Sequence, residues 1–454
     1  MKFSLVIIFC LTLTFSSVKL YSQSATFTTP GTNSFVVPHG VTSISAQVWG
    51  AGGGGSKGYL NQKGTGGGGG GYASGNLAVN QGYNLMVNVG QGGTGAATVG
   101  TNGTGGGSTS VTFVTYHLTA LGGGGGTTNV TYPMSCPSGF VAGNGGVGGN
   151  GSAFQFTSTV FRCGGSGANL AGGCSPSYST PGGGGGGSAA PGGNGREAGQ
   201  TTGFGDCSPG TTQNGGTALT DGGAGGNGGV TIGNGIDGTS PGGGGGGNAG
   251  TGNGGNGANG KVVLNWTCSN NLFSAMGTDN QSICSGESID NIVYKIVGAT
   301  GASVTGLPDG VNYTYSSGTV TISGQPSVTG TFNYLVTPTG YCTASTASGS
   351  ISVGGPVKRS GICYASISDA LSLGMGSPIE VLGSTLLESF TIPAGLTLVI
   401  NNGATVTNAG TVTNNGIIQI NPGGSFVNNG IYEGTGNFSG NFINPLLGTV
   451  DPGN

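Results

Sequence analysis

Histidine is the side chain most readily used for proton transfer near neutral pH, and this chain has two, His39 and His117. His39 lies in a Pro38-His39-Gly40 turn and His117 beside a strand-forming stretch. Neither has a serine and an acid arranged as a nucleophilic triad would need. In Gly55-Ser56-Lys57-Gly58 the lysine is not followed by the Ser or Thr that a phosphate loop requires. G-x-G-x-x-G recurs, as it must in a chain with 108 glycines, but nucleotide binding needs a strand before it and a helix after it. Asp221-Gly222-Gly223-Ala224 and Gly235-Ile236-Asp237-Gly238 hold isolated aspartates, whereas a calcium-binding nonapeptide array needs one in every repeat. Asp369, Glu380, Glu388, Glu433 and Asp451 are too dispersed to read as the paired acids of a glycosidase. We expect no catalytic residue, cofactor or metal, and no enzyme.

Cysteine offers the remaining chemistry. Met1–Lys2, the apolar run Phe3–Phe15 and the small polar residues after it read as a secretory signal peptide, residues 1–22, cut near Ser22–Gln23. Cys10 falls inside it. Of the nine cysteines, eight then remain: Cys136, Cys163, Cys174 and Cys207 in a glycine-rich stretch, and Cys268, Cys284, Cys342 and Cys363 beyond it. An even number in an oxidising compartment favours disulfides. No pair has the C-x-x-C spacing of a zinc knuckle. We expect a secreted, extracellular or cell-surface protein with no membrane-crossing segment in the mature chain.

These residues are set in an unusual background. Most glycines fall between Trp49 and Gly260, and Pro181–Gly187 and Pro241–Gly247 each read as proline followed by six glycines. Such runs cannot pack through side chains. They are either flexible coil or extended polyproline-II-type helices bonded backbone to backbone. Alternating strands at Asn33–Val37, Val41–Trp49, Tyr72–Val79, Tyr83–Val89, Val111–Thr115 and Lys261–Trp266 frame the field at both ends, which a tether would not need. Only 5% of residues are charged, and ten Lys plus Arg over 454 residues cannot form the basic patch of a nucleic-acid binder.

Phe35-Val36-Val37-Pro38-His39-Gly40-Val41-Thr42-Ser43, Val48-Trp49-Gly50-Ala51-Gly52-Gly53-Gly54-Gly55, Gly70-Gly71-Tyr72-Ala73, Val87-Asn88-Val89-Gly90-Gln91-Gly92-Gly93 and Gly257-Ala258-Asn259-Gly260-Lys261-Val262-Val263 resemble the glycine-rich domain of phage tail-fibre tip adhesins and bacterial surface proteins. The resemblance spans residues 24–267. It implies a β-sandwich frame, a polyglycine-II bundle and recognition by loops at the bundle's tip. The interior from Tyr132 to Pro209 departs from the pattern. Its aromatics Tyr132, Phe140, Phe154, Phe156, Tyr178 and Phe204 are candidate ligand contacts, the alternative being that they plug gaps between layers.

Beyond Cys268, Gly306-Leu307-Pro308-Asp309-Gly310-Val311, Ile322-Ser323-Gly324-Gln325-Pro326 and Gly330-Thr331-Phe332-Asn333-Tyr334 resemble a bacterial immunoglobulin-like repeat, residues 268–356. Cys284 and Cys342 flank its strands and are the first pair expected, leaving Cys268 and Cys363 to brace the ends. Residues 357–454 open with Ile362-Cys363-Tyr364-Ala365-Ser366-Ile367-Ser368-Asp369-Ala370-Leu371, similar to the capping helix of right-handed β-helix proteins. Short alternating units come next, separated by Asn408-Ala409-Gly410, Asn414-Asn415-Gly416 and Asn428-Asn429-Gly430, the corners of a solenoid.

The expected architecture is mainly β: a sandwich frame with a polyglycine-II bundle, an Ig-like sandwich and a short C-terminal β-helix. The expected function is that of an adhesin whose glycine-rich head binds an extracellular glycan or cell-surface receptor. The alternatives are a self-associating matrix or filament subunit and, below it, an ice-binding protein.

Overall fold

A computed structural model describes residues 20–58, 64–128, 149, 151–167, 187–190, 214–229, 233–248, 251–374, 376–383, 385–445 and 448–451. The chain forms two compact units, Ser22–Thr267 and a second comprising Cys268–Asn454 with Met1–Tyr21. Among the described residues nearly all regular structure is β. The first strand, Tyr21–Phe27, contains the expected cleavage point.

Ser22–Thr267 is framed by two sheets. One pairs Lys261–Asn265 with Ser43–Trp49, then Tyr72–Ala78, then Thr157–Arg162. The other orders Gly31–Val36, Asn84–Val89, Thr109–Phe113, Tyr116–Ala120 and Gly151–Phe154. Alternation puts Phe35, Ile44, Val48, Leu77, Leu85 and Leu118 in a buried core. Tyr116–Ala120, Gly151–Phe154 and Thr157–Arg162 were not legible as strands, being short and set among glycines.

Frame strands run on into glycine segments or out of them. Ser43–Trp49 continues as 50–57, Asn84–Val89 as 90–96 and Tyr116–Ala120 as 121–127. Segment 64–71 leads into Tyr72–Ala78, 103–107 into Thr109–Phe113 and 253–260 into Lys261–Leu272. The glycine segments are neither helix nor sheet, and lateral hydrogen bonds that rotate among neighbours every three residues order them. Ala51 and Gly54 donate to Gly107 and Thr104, Gly52 and Gly55 to Ala258 and Gly255, and Gly53 and Ser56 to Gly68 and Thr65, all at 2.8–3.1 Å. The carbonyls rotate likewise. Ala51 and Gly54 accept from Gly123 and Gly126, Gly52 and Gly55 from Gly93 and Ala96, and Gly53 and Ser56 from Gly245 and Asn248. Segment 51–56 therefore donates to three neighbours and accepts from three others, the geometry of an extended helix with three residues per turn inside a hexagon. Residues 67–71 repeat the rotation, donating in turn to Gly245, Gly124, Gly165, Gly242 and Leu121.

This packing dictates glycine. A Cβ on Gly53 would lie 2.0 Å from the Gly124 oxygen, and one on Gly70 1.9 Å from the Gly50 oxygen. Residues 50–58 and 64–71 are buried throughout, so the bundle's interior is backbone.

In the other unit, Asn280–Cys284, Ala347–Gly354, Gly330–Thr339 and Gly301–Thr305 form one sheet. Val311–Ser316, Thr319–Gly324, Ile292–Val297 and Ser269–Leu272 form a second. Buried Tyr294 and Tyr334 join hydroxyls at 3.1 Å, and burial raises the pKa of both. The disulfides correct the expected pairing: Cys268 bonds Cys342 and Cys284 bonds Cys363. Cys284 ends a strand whose neighbour Ala347–Gly354 leads into the C-terminal module. Gly354 lies against Cys363, so that bridge ties the sandwich to the module.

The C-terminal module is a β-solenoid of about three turns. Three parallel sheets stack rungs such as Leu398 on Ile418 and Thr405 on Ser425. Val357, Ile379, Leu398, Val406, Val412, Ile418 and Phe426 fill the interior. A cap closes its start. Ser366 caps helix Ile367–Leu371 by accepting from Asp369 N at 2.9 Å. Glu388 accepts from Ile367 N, and buried Arg359 donates to the carbonyls of Ala370 and Gly374. The helix is shorter than the pattern from Ile362 suggests, because Ile362–Tyr364 pairs with Val357–Arg359 as a strand.

Candidate functional site

The glycine bundle has one end joined to the frame strands and one end free of them. At that free end glycine gives way to short polar residues. Thr65 N donates to Ser56 Oγ at 2.7 Å, and the Ser56 hydroxyl lies 3.1 Å from the Thr127 carbonyl. Thr127 N donates to Thr65 Oγ1 at 2.8 Å. At this end serine and threonine hydroxyls take the acceptor role that carbonyls fill in the glycine layers.

Lys57 sits in the same layer and is 7% exposed. Its ammonium donates to the Ala97 carbonyl at 3.1 Å and to Asn253 Oδ1 at 3.2 Å. Both acceptors are neutral, so among the described residues the ammonium is held by dipoles. This staple joins segment 50–57, the 97–101 turn and segment 253–260. The sequence motif around it looked like a failed phosphate loop. The signal was instead a single cation set in an otherwise uncharged glycine run.

The bundle's outer edges use side chains in the same way, at intervals of three. Gly95 N donates to Asn256 Oδ1 and Gly92 N to Asn259 Oδ1, both at 2.9 Å. Asn253 N donates to Asn234 Oδ1 at 2.8 Å and Asn256 N to Asp237 Oδ1 at 2.6 Å. Asp237 thus serves as a hydrogen-bond acceptor within the bundle.

Of the expected contact residues, Phe154 and Phe156 lie among the described residues. Tyr132, Phe140, Tyr178 and Phe204 lie outside the described residues, as do Cys136, Cys174 and Cys207. Cys163 is buried and disulfide-bonded. Phe154 and Phe156 stand on the frame instead of the bundle's free end. Phe154 ends strand Gly151–Phe154 with 49% of its surface exposed, and Phe156 is buried with its ring against Gly75. The reason is local: Gly151–Phe154 and Thr157–Arg162 pair with frame strands and carry these rings with them.

A model of the glycine-rich domain matches residues 28–267, from the frame's first sheet to its last strand. The chain belongs to the glycine-rich domain family. No curated protein matches it. The boundaries of the glycine-rich domain enclose the frame and the bundle together, as their shared strands require. Among the described residues no three His, Cys, Asp or Glu side chains gather as a metal site, and no helix is long and apolar enough to cross a membrane.

Proposed function

We propose that the protein is a secreted or surface-displayed adhesin whose glycine-rich domain binds a glycan or another surface. The two-sheet sandwich beyond Cys268 serves as an immunoglobulin-like spacer, and the solenoid as a stalk or docking piece. The observation that carries this reading is the three-residue rotation of lateral hydrogen bonds in segment 51–56. It makes a post of backbone that resists deformation, and loops on a rigid support are suited to recognition. The disulfides Cys268–Cys342 and Cys284–Cys363 fit an oxidising, extracellular setting. The test is binding of the oxidised full chain to glycan arrays and to whole cells. Saturable binding supports the reading, and no binding to either surface overturns it.

A second reading, a self-associating structural subunit, draws on the last solenoid coil. Among the described residues, strands Asn437–Ser439, Phe442–Ile443 and Thr449–Asp451 each pair on one side only. Sedimentation at high protein concentration separates the two: a monomer excludes the assembly.

A further inference from the structure

The outward face of the five-stranded frame sheet carries two rows that cross its strands. Register places Met86 beside Thr112, Thr112 beside His117 and His117 beside Phe154. Met86 is 54% exposed and Phe154 49% exposed, unusual values for large apolar groups on a polar sheet face. The His117 and Phe154 rings lie within 20° of parallel, with centroids 6.1 Å apart. Two residues along each strand, about 7 Å away, a second row sets Asn88 beside Ser110, Ser110 beside Thr119 and Thr119 beside Ser152. The first row offers ring and thioether surface. The second offers hydroxyl and amide groups at the strand spacing of about 4.8 Å.

Neither row contains Lys, Arg, Asp or Glu. A charged polymer would therefore lose hydration here and gain no opposite charge in return. A neutral sugar chain has the complementary chemistry, with apolar C–H faces for the rings and hydroxyls for the polar row.

We propose that this sheet face is a platform for a linear, uncharged oligosaccharide lying across the strands, stacked on Phe154 and His117 and hydrogen-bonded along the Asn88–Ser152 row. The proposal rests on the adhesin reading and moves its contact from the bundle's free end to the flank of the frame. Of the two expected contact aromatics among the described residues, Phe154 belongs to it. Phe156, two residues on, faces the core.

The test is calorimetry of the oxidised full chain with cellohexaose, laminarihexaose and hexagalacturonate, together with methionine-methyl spectra in which Met86→Leu assigns the Met86 signal. The platform predicts binding of at least one neutral hexamer with a shift of the Met86 methyl. Phe154→Ala should weaken binding about tenfold without lowering the melting temperature, and Phe154→Trp should retain binding. Equal affinity in Phe154→Ala, or binding of hexagalacturonate alone, overturns the platform. If wild-type and Phe154→Ala chains bind cells equally well, the platform falls while the adhesin reading stands. If the wild-type chain binds no cell, array or hexamer, both fall.

Discussion

Segment 51–56 of the bundle and residues 397–414 of the solenoid both repeat, and both satisfy their backbone sideways. They specify a residue in opposite ways. At interior glycines such as Gly53 and Gly54 a neighbour's carbonyl occupies the place of the Cβ, so a side chain is excluded. In the solenoid each strand sends residues such as Leu398, Val406 and Val412 into an interior that they must fill. One is held by contacts between main chains at hydrogen-bond distance, the other by apolar burial beneath its hydrogen-bonded rungs. Even their corners differ. At the bundle's edge, side-chain oxygens such as Asn256 Oδ1 and Asn259 Oδ1 stand in for backbone acceptors. The solenoid's buried Asn408 and Asn428 join successive coils, with Asn408 Nδ2 donating to Asn428 Oδ1 at 2.7 Å and Asn428 Nδ2 to Asn444 Oδ1 at 2.9 Å.

The sharpest way to break this comparison is to add one carbon to the bundle. Gly53→Ala places a methyl 2.0 Å from the Gly124 oxygen and should destabilise the protein by more than about 4 kcal/mol. Gly105→Ala, whose Cβ would lie 3.6 Å from its nearest neighbour, should change stability by no more than about 0.5 kcal/mol. Thermal unfolding of the pair measures the difference, and equal effects would refute exclusion as the rule. Deleting carbon is the matching test of the solenoid. Leu398→Ala should cost about 2–5 kcal/mol through lost burial and a cavity.

Next in size is the corner ladder. Asn428→Ala leaves Asn408 without its side-chain acceptor and frees the Thr449 carbonyl, for about 1–3 kcal/mol in denaturant unfolding. Smaller and opposite in sign is Val114. It holds a φ of 53° in the turn between Thr109–Phe113 and Tyr116–Ala120 and is 84% exposed, so Val114→Gly should stabilise the frame by about 1 kcal/mol.

The smallest effect concerns the solenoid's cap. Burial raises the Glu388 carboxyl above its ordinary value of 4.5, outweighing the Ile367 and Ser368 amides that favour its charge, while Asp369 adds to the rise. A carboxyl raised on folding holds its proton more tightly in the folded chain. Its favourable contribution is complete below the unfolded value and fades as pH climbs through the folded one. The melting temperature of the wild-type chain relative to Glu388→Gln should therefore rise as pH falls from about 7 to about 4.5. A constant difference would contradict the raised value.

Much of this contrast was legible in the residues. Strands such as Ser43–Trp49 and Lys261–Trp266 bracket the glycines, and Asn-Gly corners recur between alternating triplets, so frame, bundle and solenoid were all expected. Partner choice within the bundle was not. Nothing in Gly52-Gly53-Gly54-Gly55 distinguishes the residue that faces Ala258 from the one that faces Gly68, because the code lies in chain geometry. The disulfide pairing is not legible in the sequence for a related reason. Cys284 and Cys342 flank the same strands in sequence, yet Cys342 faces Cys268 on the entering strand. For the contact residues, aromatic type alone could not tell exposed Phe154 from buried Phe156. Only the pairing of His117 with Phe154 separates them.

The glycine region, nearly bare of side chains, is rigid because its main chains bond to one another. Residue-resolved amide hydrogen exchange on the oxidised full chain tests it directly. Segments 51–56, 67–71 and 243–248 should be protected as strongly as frame strand Ser43–Trp49. Edge amides bonded to side chains, such as Gly92 and Gly95, should exchange sooner. Rapid exchange throughout those interior segments, with the frame strand still protected, would contradict it.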